Sequence, residues 1–295
     1  MEIVLLGTGT PAPSLKRASS SYLVDLGGSV ILFDCGPGAY HRMMEAGYRA
    51  TDITHLAFSH LHYDHCLDYA RLVMTRWDQG AGQIPELAVY GPAHTARMTR
   101  LLFAADGVFG PDIAARTTLE PSVQVYESRG GTRPRKGPEP VLREIASGDV
   151  VEGDGWTLSA VSVPHAQPVL ECLGFRLDAP RGAFAYSGDA GPSSAFARLA
   201  AGSDVLVHMT YQISGTAPGP EWTRGAAGHM ESARIAAEAG ARTLVVSHVS
   251  NQMDVPGVRE RLIAEMAEVF AGNIVWGEDL MRVPLADPEA ERHTG

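Results

Sequence analysis

The chain has 295 residues, 45% of them hydrophobic and 20% charged, which is enough apolar content for a buried core. Thirty-four acidic residues against 24 basic ones give a formal charge of −10, which disfavours a global grip on nucleic acid or an anionic membrane. Cys35, Cys66 and Cys172 lack C-x-x-C spacing, and neither a leader nor an apolar run of membrane-spanning length is legible, so the expectation is a reduced, soluble, cytoplasmic protein.

Taken in chain order, short apolar runs alternate with turns and helical patterns. Strands are expected over residues 2–6, Ser21–Asp25 and Val30–Phe33, the last running through Asp34-Cys35-Gly36-Pro37-Gly38 into a helix. A buried strand is expected over 53–58, a helix over 67–77, a strand over 87–90 and a helix over 92–103 opened by Pro92. Residues 129–140 are crowded with Gly and Pro and carry Arg129, Arg133, Arg135 and Lys136. They predict an exposed loop, either a plain connection or an anion contact. Strands then return over 157–163, 183–186, 205–207, 243–246 and 274–276, with helices over 230–239, closed by Gly240, and over 255–270. Strands leading helices in both halves predict an α/β sandwich, one domain over residues 1–285 with 286–295 a flexible tail.

The chemistry concentrates in one place. Four of the 11 histidines fall between His55 and His65, where random scatter would put fewer than about one. In an extended segment His60 and His62 point the same way, and Asp64 and His65 follow as the chain turns into a helix. Three imidazoles and a carboxylate so close together suit Zn²⁺, which takes nitrogen and oxygen ligands at about 2.0–2.2 Å. Other strand ends offer partners: Val163-Pro164-His165, Ser187-Gly188-Asp189 and Ser247-His248.

With these residues in view, the sequence resembles the metallo-β-lactamase superfamily, whose seven-position ligand pattern is filled by His60, His62, Asp64, His65, His165, Asp189 and His248. Leu6-Gly7-Thr8-Gly9-Thr10-Pro11, Phe33-Asp34-Cys35-Gly36 and Gly228-His229-Met230-Glu231-Ser232-Ala233 resemble its ribonuclease Z and arylsulfatase-like branch. The resemblance implies an αββα sandwich of two mixed β-sheets flanked by helices, and two zinc ions per chain, with Mn²⁺ or Fe as alternatives. It places His60, His62 and His165 on one ion, Asp64, His65 and His248 on the other, and Asp189 between them. It further implies a bridging hydroxide as nucleophile, Asp64 as its orienting residue, and His229 as the residue that stabilises the transition state or protonates the leaving group.

That branch often pairs the equivalent of His229 with a glutamate after the strand ending near His208; here Met209 stands there. The branch's tRNA-gripping arm has no room between His165 and Asp189. The leading expectation is therefore a hydrolase of a small ester, lactone, sulfate or phosphate-type molecule, with His208, Tyr211, Trp222 and Arg224 as substrate contacts. On that reading nucleic acid and membranes are disfavoured partners and a homodimer is allowed. The alternative is a phosphodiesterase or tRNA 3′-end endonuclease of the same fold. Further alternatives are an iron-dependent oxidoreductase and a non-catalytic metal-binding accessory protein.

Overall fold

The computed structural model describes residues 2–285. The expected tail at 286–295 lies outside the described residues.

Among the described residues, fourteen strands form two seven-stranded sheets. In the first half of the chain they are β1 (Glu2–Gly7), β2 (Ser21–Asp25), β3 (Val30–Phe33), β4 (His55–Ala57), β5 (Ala88–Gly91), β6 (Val141–Glu144) and β7 (Val150–Gly153). The second half carries β8 (Trp156–Ser162), β9 (Leu173–Ala179), β10 (Gly182–Tyr186), β11 (Val205–Met209), β12 (Thr243–Ser247), β13 (Asn273–Trp276) and β14 (Arg282–Pro284). One sheet runs β14-β1-β2-β3-β4-β5-β6 and the other β13-β12-β11-β10-β9-β8-β7. Each is half antiparallel and half parallel. Strands β3 to β6 pair in parallel, as do β10 to β13.

Ten helices connect them: α1 (Ala39–Glu45), α2 (Tyr63–Cys66), α3 (Tyr69–Gly80), α4 (Thr95–Phe103), α5 (Gly110–Thr118), α6 (Glu120–Ser128), α7 (Ser194–Leu199), α8 (Pro220–Gly225), α9 (His229–Ala239) and α10 (Val258–Ala267). Strands β11 and β12 are buried at every residue, which fits parallel strands covered on both faces. Ile3, Phe33, Phe175, Phe184 and Val207 meet between the sheets. Leu32, Leu56, Tyr69 and Leu72 pack the first sheet under its helices, and Leu206, Leu244, Ala233 and Leu262 do the same for the second. The result is the expected four-layer αββα sandwich. Among the described residues, no helix is long and apolar enough to cross a membrane.

Several elements differ from the sequence reading. The helices α5 and α6 stand between the helix expected over 92–103 and the loop at 129–140, where no element was expected; each is nine residues long and has a proline in its first turn, a position a helix tolerates. The strand expected over 53–58 shortens to β4, and the helix expected over 255–270 shortens to α10.

What the fold supplies is direction. Strands β1, β3, β4, β8, β10, β11 and β12 all end at one edge of the sandwich, and three of the turns that leave them are tight. Asp34 after β3, Gly188 after β10 and His248 after β12 adopt φ of 56°, 58° and 54°. Two of these three are not glycine, and such backbone strain concentrates where function over-determines a position. Gly188 has no alternative: a Cβ there would sit 2.7 Å from the Leu173 carbonyl oxygen and 2.8 Å from Ser59 Cβ.

Candidate metal centre

The turn after β4 delivers His60 and His62, and α2 starts directly on Tyr63, so Asp64 and His65 enter the same space from its first turn. The segment is clamped from below. Cys35 N–H donates to the His65 carbonyl at 2.7 Å, and Gly36 passes so close that a Cβ would lie 2.0 Å from the Asp64 carbonyl oxygen. Across the cleft, the turns after β8, β10 and β12 bring in His165, Asp189 and His248.

These seven side chains form two groups. His60, His62, His165 and Asp189 place one donor atom each within 4.8 Å of one another, and Asp64, His65, Asp189 and His248 do the same. Asp189 is common to both. In the first group His60 Nε2 and His165 Nε2 lie 2.9 and 3.3 Å from His62 Nδ1. In the second, His65 Nε2 is 3.3 Å from Asp189 Oδ1, and His248 Nε2 is 3.1 Å from Asp189 Oδ2 and 3.5 Å from Asp64 Oδ2.

The outward-facing ring nitrogens are already committed. His60 Nδ1 lies 3.0 Å from Ser59 Oγ, His165 Nδ1 donates to the Gly225 carbonyl at 2.7 Å, and His65 Nδ1 donates to Asp34 Oδ2 at 2.7 Å. Each leaves its Nε2 facing inward, the arrangement that second-layer partners impose on metal-ligating histidines. Asp64 Oδ2, His65 Nε2 and His248 Nε2 are buried and make no hydrogen bond. Buried polar atoms normally find a partner, and three such atoms aimed at one space fit a divalent cation.

Electrostatics divides the two groups. Burial, and then the neighbouring His65, push His60 well below its ordinary value, and burial and His165 also lower His62, so both are held as neutral donors. His65 and His248 behave oppositely. Burial works against their charge, but the carboxylates together outweigh it, Asp189 with Asp34 holding His65 well above its ordinary value and Asp189 with Asp64 holding His248 at about 9. Burial tends to raise Asp189, yet His248 and His65 keep it far below the carboxylate range. A cation entering the second group therefore displaces protons from two imidazoles, which makes binding pH-dependent.

Asp34 is the residue the sequence reading quoted but gave no role. It is fully buried and accepts four bonds: from Ser59 N–H and Ser59 Oγ at 2.7 Å, from His65 Nδ1 at 2.7 Å and from the Tyr186 hydroxyl at 2.6 Å. One carboxylate thus ties β3, the His60 turn, α2 and β10 together. The signal was its place beside Cys35-Gly36 at a strand end.

The expected substrate contacts divide. Tyr211 and Trp222 line an open cleft of about 310 Å³ above the centre, with Pro11, Met209, Gly225 and Ala226. The Tyr211 ring lies 5.8 Å from that of His248 and 6.1 Å from that of Trp222. His208 is not there. Alternation along β11 sends Val207 between the sheets, His208 under the helices and Met209 into the cleft. His208 Nδ1 donates to the Met209 carbonyl at 2.7 Å, its ring packs on Phe196, and burial lowers its pKa to about 4. It is a neutral core histidine. Arg224 stands on the exposed side of α8, paired with Glu221 at 2.9 Å and off the cleft wall.

His229 is also turned away. Its Nδ1 accepts from Ser214 N–H at 3.0 Å and its Nε2 lies 2.7 Å from Glu265 Oε2 on α10. Both nitrogens are used, and neither faces the cleft. The three arginines of the 129–140 loop are likewise satisfied locally: Arg129 and Arg135 pair with Asp78, Arg133 pairs with Glu120 and Glu127, and Arg135 stacks on Trp77. The loop is pinned to α3 and α6, and those charges are taken up inside the chain.

Comparison with known proteins agrees with this geometry. The profile described as the beta-lactamase superfamily domain matches residues 30–249. Ribonuclease Z of Mycobacterium sp. (strain KMS) is 33% identical over 292 residues, 97% of this chain and 96% of that protein. The metallo-β-lactamase fold protein YhfI from Bacillus subtilis superposes with a TM-score of 0.72 at 19% identity, covering 96% of this chain and 98% of that one. Human tRNase Z, short form, gives 0.69 at 19% identity, covering 97% and 100%.

The ribonuclease Z relatives, aligned over nearly the whole chain, overturn the expectation of a small-molecule substrate with nucleic acid disfavoured. A net charge of −10 is a sum over the whole chain and does not fix the charge of the face that meets a substrate.

Proposed function

We propose, from the premise that this chain belongs to the β-lactamase superfamily and is one of its metal-dependent hydrolases, that it is a dinuclear zinc phosphodiesterase that cuts RNA at the 3′ end of precursor tRNA. The observation that carries the dinuclear part is the carboxylate shared by two complete donor groups. The RNA substrate is supported by the relatives named ribonuclease Z. The free thiols Cys35, Cys66 and Cys172 support a reducing, cytoplasmic setting.

In this reading His60, His62, His165 and Asp189 hold one zinc, and Asp64, His65, Asp189 and His248 hold the other. The bound pair supplies Lewis acidity toward the scissile phosphate and acidifies water. The chain's residues supply the rest. Asp34, Ser59 and the Gly225 carbonyl fix the imidazole tautomers, so no reorientation is needed as charge develops. Asp64, held ionised by His248 and His65 against the raising effect of burial, orients the attacking water by accepting its hydrogen bond. Pro11, Met209, Trp222 and Ala226 line the cleft with apolar surface and limit competing water.

The test is a precursor tRNA with a 3′ trailer, incubated with zinc-supplemented protein at moderate salt. Cleavage at the 3′ end is expected, with loss on the order of 10³-fold or more in His60→Ala and on chelation. A protein that leaves the precursor intact while turning over an aryl ester or sulfate would contradict the reading.

A further inference from the structure

Phosphodiester hydrolysis needs a proton for the departing oxygen, and neither His229, to which the family resemblance gives that task, nor Met209, at the position of its assisting glutamate, brings one to the cleft. His229 has both nitrogens engaged on the far side of α9, with Ser214 and Glu265. Met209 has none to give, and its sulfur accepts from Ala190 N–H at 3.1 Å. Among the described residues on the cleft wall that lie outside the two donor groups, the side chains bearing an acidic oxygen are Tyr211 and Glu221. Glu221 is exposed and ion-paired with Arg224 at 2.9 Å.

Tyr211 is placed differently. Its backbone N–H donates to the Ala227 carbonyl at 2.9 Å, fixing it just past the end of β11. Its ring sits between the His248 ring at 5.8 Å and the Trp222 ring at 6.1 Å, so one edge faces the centre and the other faces helix α8. Its hydroxyl has no hydrogen-bond partner among the described residues. A phenol with a free O–H on an apolar wall beside a ligating imidazole is a proton donor awaiting an acceptor.

We propose that Tyr211 is the acid that protonates the leaving oxygen. The proposal rests on the phosphodiesterase reading and supplies its missing step. As the oxygen of water bonds to phosphorus and passes one proton to the Asp64 carboxylate, which releases it to solvent, the bond from phosphorus to the leaving ribose oxygen breaks and its electron pair stays on that oxygen. The Tyr211 O–H proton moves to it, giving the free hydroxyl, and the phenolate regains a proton from solvent. A phenol is a far stronger acid than a ribose hydroxyl, so the transfer runs downhill in the transition state.

The test compares two diesters of one nucleoside on zinc-loaded protein: the 5′-(p-nitrophenyl) phosphate, whose phenolate leaves without a proton, and the dinucleotide, whose ribose oxygen needs one. Tyr211→Phe keeps the ring and removes only the hydroxyl. Dinucleotide kcat is expected to fall about 10²–10⁴-fold, the range of a lost general acid, while the aryl ester stays within about threefold and zinc content is unchanged. Equal losses on both substrates, no loss on the dinucleotide, or loss of zinc would overturn the assignment. Wild-type protein that hydrolyses neither diester would overturn the phosphodiesterase reading and this assignment with it. A wild type active on both, with a variant insensitive to leaving group, would overturn Tyr211 alone.

Discussion

Asp189→Asn is expected to lower turnover on the order of 10³-fold or more and to reduce the bound metal from two ions to at most one. The other six donors each serve one group, whereas this carboxylate serves both. The substitution keeps the volume but removes the charge that holds His65 and His248 protonated in the metal-free chain. Losing one electrostatic stabiliser typically costs about 10²–10³-fold; here the scaffold of two cations goes with it. Elemental analysis alongside kcat checks this, and retention of two ions at near wild-type rate would show that Asp189 does not join the groups.

The second large effect is expected at a residue that touches no reacting atom. Asp34→Ala leaves the Ser59 N–H and hydroxyl, His65 Nδ1 and the Tyr186 hydroxyl without their acceptor in a site closed to water. Breaking a buried charged network of this kind costs about 3–5 kcal/mol, and metal affinity should fall about 10–100-fold as His65 loses its anchor. Asp34→Asn separates the causes. Asn tolerates the left-handed backbone that Asp34 adopts, so its smaller loss reads the charge and not the turn. Denaturant unfolding and chelator competition measure the two quantities; an unchanged affinity in Asp34→Asn would reduce Asp34 to a packing role.

The contrast between these two residues says why part of the site was legible in sequence. Ligands must end strands and present imidazole or carboxylate, so His60 to His65, His165, Asp189 and His248 stand out by type and position. Asp34 acts through residues 25 and 31 positions away in sequence, and no local pattern encodes that reach. His208 failed by one residue of parity: Met209, its neighbour on β11, is the one that faces the cleft. His229 sits at the correct end of the sandwich, but which way a helix-start side chain turns is decided by packing against α10. The overall architecture was readable because buried strand runs recur with turns between them. The helices α5 and α6 were not, because nine residues present too little of a repeating apolar face and their prolines read as breaks.

The central claim is that one chain builds a two-cation centre around Asp189, and metal stoichiometry tests it most directly. Protein purified without added metal and then equilibrated with zinc should hold about two ions per chain after removal of free metal, the count expected from two donor groups sharing one carboxylate. One ion, or only traces, on folded protein would contradict it.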